Sequence, residues 1–87
     1  MMCGQWVELL VRANSLAGHD PAEEPVQQLA LTWEQLTVKG NGPAAPTAEA
    51  IEAWLGSNCN SATRTLIDTH QTARAVGDAM EHRMRTR

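Results

Sequence analysis

The apolar residues of this chain recur at steps of three and four, and no run alternates apolar with polar for the length of a strand. That spacing is the period of a helix with one buried face, and it points to an all-α fold. Each of the three tryptophans belongs to such a series. Trp6 goes with Leu9, Leu10, Ala13 and Leu16, Trp33 with Val26, Leu29, Ala30 and Leu36, and Trp54 with Ala50, Ile51 and Leu55. The chain has no Phe and no Tyr. The indoles must therefore supply much of the bulk of a core otherwise made of Leu, Ile, Val and Met. At 87 residues this is one small domain with little stability to spare.

Punctuation between the series sets the elements. The first helix runs from Gln5 to Leu16 and ends at Gly18. In the segment GHDPAEEP, Asp20 can cap, Pro21 suits the first helical position, and Glu23 and Glu24 favour the positive end of a helix dipole. Pro25 then either falls in the first turn or marks the true start of the second helix, which ends near Val38–Gly40. NGPAAP is a loop, and Thr47 caps a short third helix with Glu49 in its first turn. Gly56 is the expected turn. A fourth helix is expected from Asn60 or Ser61 through Ala62, Leu66, Thr69 or His70, Ala73, Val76, Met80 and Met84. It is long for a small core. Its far part, from about Gln71, is expected to leave the globule as the start of a coiled coil, with RMRTR fraying.

These readings give a bundle of about four helices containing a helix-turn-helix. Residues 1–24 form an N-terminal helix and linker, 25–70 the helix-turn-helix core, and 71–87 a helical extension. The stretch PTAEAIEAWLGSNCNSATRTLIDTH carries the functional expectation. A helix, a glycine turn and a second helix opening on small polar side chains is the layout that places a recognition helix in the major groove. Ser57, Asn58, Asn60, Ser61, Thr63 and Arg64 would face double-stranded DNA, with Arg74 reaching phosphate. Leu66 and Ile67 would anchor that helix on Ile51 and Leu55.

Charge cuts both ways. The net charge is −3, unlike the basic footprint of most nucleic-acid binders. Residues 1–46 hold five acids against Arg12 and Lys39, whereas residues 60–87 hold five arginines against Asp68, Asp78 and Glu81. The basic surplus thus falls on and beyond the candidate recognition helix.

Residues 46–70 also resemble the N-terminal DNA-binding domain of the plasmid KfrA family. Pro46–Thr47 match its "PT", Ile51 its apolar position, Leu55–Gly56 its "LG", and Leu66–Ile67 its paired leucines. Val26 to Gly40 would be the preceding helix. The chain departs from the pattern in the inserted NGPAA and at Cys59, Ala62 and His70. The resemblance implies a bacterial, plasmid-type DNA-binding protein, a transcriptional regulator or plasmid-maintenance factor. It also implies continuation into a coiled coil, through which a homodimer would form.

Other chemistry has little support. His19, His70, His82 and Cys59 lack metal-ligand spacing, and no GxGxxG or P-loop occurs. Cys59 and His70 lie about three turns apart on one expected helix, too far for a nucleophile and its base. No enzyme, cofactor or metal is expected. Cys3 and Cys59 read as thiols of a reducing cytoplasm. There is no basic leader, and no apolar run approaches the ~20 residues of a membrane span. A soluble cytoplasmic protein is expected. The competing reading is a small helical module that binds another protein. It would be either a phage or plasmid inhibitor or adaptor using the acidic first half, or a hairpin like the type VII secretion substrates with their Trp-x-Gly turn. Trp54–Leu55–Gly56 fits those letters, but Pro21, Pro25, Pro43 and Pro46 break up the long first helix such a hairpin needs.

Overall fold

The computed structural model describes residues 4–86, all helix and turn without a strand. Cys3 and Arg87 lie outside the described residues. Five helices follow in order: α1 (Gly4–Ser15), α2 (Glu24–Lys39), α3 (Ala48–Asn58), α4 (Ser61–Thr65) and α5 (Thr69–Arg85).

The expected ends hold in α1 and α2 and at the start of α3. Gly40 closes α2 with φ 85° and donates its N–H to Thr37 O at 3.0 Å. That left-handed backbone is cheap only for glycine. Thr47 caps α3 by accepting from Ala50 N–H at 3.2 Å. Of the two starts open for α2, the later one is found. Residues 20–23 form a turn closed by Asp20 N–H on Glu23 Oε2 and Ala22 N–H on Asp20 Oδ1. Pro25 then stands in the first turn of α2, where its missing N–H costs nothing.

The core forms where the tryptophans meet. Trp6, Trp33 and Trp54, from α1, α2 and α3, are all buried. Trp6 meets Trp33 edge-on at 4.9 Å between centroids and Trp54 tilted at 6.1 Å. The α2–α3 loop closes over this cluster. Trp54 Nε1–H donates to Asn41 O at 2.8 Å. Gly42 lies so close to the Trp6 ring that a Cβ there would overlap it.

The last third of the chain departs from expectation. One helix from Asn60 to Met84 is replaced by two, because Asp68 interrupts it. Its carboxylate accepts from His70 N–H at 3.0 Å and Gln71 N–H at 3.1 Å, starting α5 afresh. The restart rotates the register. α5 buries Thr72, Ala75, Val76 and Ala79, while Ala73 and Met80 are half-buried and Met84 is exposed. The far part does not leave the globule. α5 packs on α1, α2 and α3, and the radius of gyration of 12.0 Å equals the ~12 Å of a compact chain this long. α5 continues through the described part of RMRTR to Arg85, and Thr86 Oγ1 donates back to His82 O at 3.1 Å. Arg83 lies 2.9 Å from Glu34 of α2, close as a charge pair but not aligned as a hydrogen bond. Gln27 Nε2 bridges Pro21 O at 2.7 Å and Ala79 O at 3.1 Å, tying α2 to α5.

Two substitutions test this packing. Gly42→Ala forces the Trp6 ring to move and is expected to destabilise by about 2 kcal/mol in urea unfolding. Thr72 is fully buried and its hydroxyl has no partner among the described residues. Thr72→Val removes that unsatisfied group at nearly constant shape and is expected to stabilise by about 1 kcal/mol in the same assay.

Candidate interaction surface

The turn expected at Gly56 falls three residues later. Gly56 is helical, α3 runs on to Asn58, and the chain bends at Cys59 and Asn60, both in extended conformation. A Cβ added at Gly56 would meet the Arg64 guanidinium carbon at 4.0 Å, ordinary van der Waals contact, so the position does not require glycine.

The helix after the bend is α4, only five residues long and with no buried residue. At 1.5 Å per residue it spans about 7.5 Å, a little over one turn. Among the other helices its backbone packs only on α3. The paired anchor Leu66–Ile67 is divided: Ile67 is buried, whereas Leu66 is 68 % exposed.

The residues expected to face DNA line different hollows or cap helices. Ser57 and Asn58 end α3. Asn58 Nδ2–H donates to Trp54 O at 2.9 Å, and the side chain lines a hollow with Gly40, Asn41 and Gly42. Asn60 caps α4, its Oδ1 accepting from Thr63 N–H at 2.9 Å. Thr63 itself is half-buried. Ser61 and Arg64 come together on a cleft of about 500 Å³ between α3, α4 and the start of α5. Arg74 belongs to a separate hollow of about 390 Å³ with His19, Asp20 and Pro21, and its Nε is 3.9 Å from Asp78.

Sequence reasoning missed the apolar part of the larger cleft. Leu55 and Ile67 line it together with Glu52, Thr65, Thr69 and His70. One signal for it was in the sequence. Asp68-x-x-Gln71 has the spacing of a helix start and separates Leu66 from the α5 register.

The basic surplus of residues 60–87 is largely paired in the fold. Arg83 faces Glu34, Arg85 pairs with Glu81, and Arg74 lies beside Asp78. Arg64 forms no ion pair among the described residues. Glu52 shares its cleft, Glu49 stands one turn earlier on α3, and Asp68 begins the next helix. Among the described residues no group of three His, Cys, Asp or Glu is placed to hold a metal ion. No helix is long and apolar enough to cross a membrane.

Comparison with known proteins finds no matching family model, curated protein or solved structure.

Asp68 fixes where α5 begins and therefore how the cleft is framed. Asp68→Ala is expected to destabilise by about 1–2 kcal/mol, read from the urea midpoint.

Proposed function

We propose that this chain is a small helical protein-interaction module, whose contact surface is the cleft between α3, α4 and α5. The observation that carries this is Leu66. It is a large apolar side chain 68 % exposed, placed in sequence between Thr65 and Ile67, which line a cleft that Leu55 also lines. An exposed aliphatic residue beside a pre-formed cleft of mixed polar and apolar lining suits a partner side chain better than a phosphate. The carboxylates Glu49, Glu52 and Asp68 favour a partner segment with an apolar anchor and basic flanks. The net charge of −3 works in the same direction.

Major-groove binding is the second reading. It is favoured by an Asn60-capped helix start that presents Ser61 and Arg64, both exposed, and by the KfrA-like residues 46–70. Against it stand the single turn of α4, the net charge of −3 and the pairing of Arg74, Arg83 and Arg85 with acids. Dimerisation through α5 belongs to this second reading, and only Met84 near its end offers an exposed apolar side chain.

The two readings separate in one pair of measurements. A photo-cross-linking residue in place of Leu66 is expected to give one stoichiometric protein adduct in the source cell. The same residue in place of Val38, itself 88 % exposed, should give none. Fluorescence anisotropy with duplex DNA at about 50 mM salt is expected to show no binding, although phosphate contacts would be strongest there. Binding to DNA that weakens steeply with salt, with no adduct at position 66, would replace the first reading with the second.

A further inference from the structure

The core does not hold α4. A five-residue helix is far below the ~12 residues at which an isolated helix becomes even marginal, so tertiary burial must sustain it. α4 buries no residue, and Leu66 after it is exposed. Its backbone hydrogen bonds reach no other helix: Arg64 N–H donates to Asn60 O and Leu66 N–H to Thr63 O, both at 3.1 Å, and Ile67 N–H at the hinge donates to Arg64 O at 3.3 Å.

The attachments lie at the two ends. Cys59 N–H donates to Leu55 O at 2.9 Å, completing α3. At the other end Ile67 is buried, and Asp68 N–H donates to Asn14 Oδ1 of α1 at 3.3 Å. Between these points Ser61, Arg64 and Thr65 form one wall of the cleft, and Glu52 and Leu55 of α3 the facing wall.

We propose that residues 60–66 are a strap that opens by local unfolding, hinged at Cys59–Asn60 and Leu66–Ile67, while α1, α2, α3 and α5 stay folded. Opening removes Ser61, Arg64 and Thr65 from the lining of the cleft that Leu55 shares. The device is a property of the chain alone and does not depend on what binds there.

Native-state hydrogen exchange on the full chain tests it. The Arg64 and Leu66 amides should be protected at least about a hundredfold less than those of Val76 and Ala79, with little sensitivity to low denaturant. Two variants should move the strap without moving the core. Asn60 has φ −78° and ψ 169°, which suits the residue before a proline, and Ser61 is the first helical position. Ser61→Pro should therefore slow strap exchange about two- to fivefold. Asn60→Ala should speed it about fivefold by removing the cap, with Tm unchanged. Strap amides that exchange with the free energy and denaturant slope of α5 would overturn the proposal. A fall in Tm for Asn60→Ala equal to that of a core substitution would do the same.

Discussion

The edge-on contact of Trp6 with Trp33, extended to Trp54, is the interaction on which the rest of this fold depends. It joins three helices that are separated in sequence by loops of low apolar content. With no other aromatic residue in the chain, nothing else has the area to bridge them. The loop over the cluster is shaped by it: Asn41 offers a carbonyl to the Trp54 indole, and only a residue without a side chain fits against Trp6 at Gly42. A buried indole N–H needs such a partner, so bulk and polar satisfaction are met by the same loop.

Against this cluster α5 presents small side chains, Thr72, Ala75, Val76 and Ala79. Small residues let one helix approach α1, α2 and α3 together, and Gln27 fastens α5 to α2 by a hydrogen bond to the backbone carbonyl of Ala79. These four helices hold every buried apolar residue except Ile67 and the loop residue Pro43. α4 is left outside the core, with exposed polar side chains on one side and a cleft on the other. A segment without burial is free to serve contact and motion, because the fold does not need it for stability.

Electrostatics follow the same division. The arginines of α5 read in sequence as a basic tail, yet on the folded helix they stand one turn from acids or across from Glu34. Surface pairs of this kind stabilise by at most about 1 kcal/mol each, but they remove the cationic field a polyanion would need. Arg64 forms no ion pair among the described residues and shares its cleft with Glu52.

Much of this was readable without coordinates. The three-and-four spacing gave the class and the buried faces of α1, α2 and α3. Gly40 and Thr47 marked helix ends because caps are local chemistry, settled within one turn. Asp68 and Gln71 carried an equally local signal for the start of α5, masked by an apolar spacing that ran through it. What the sequence could not give was which of Leu66 and Ile67 would be covered, whether Gly56 would bend, and which acid each arginine would meet. Those outcomes depend on how several elements pack at once. Burial and charge pairing are decided by residues distant in sequence, as Arg83 and Glu34 show, whereas periodicity and capping are decided by neighbours.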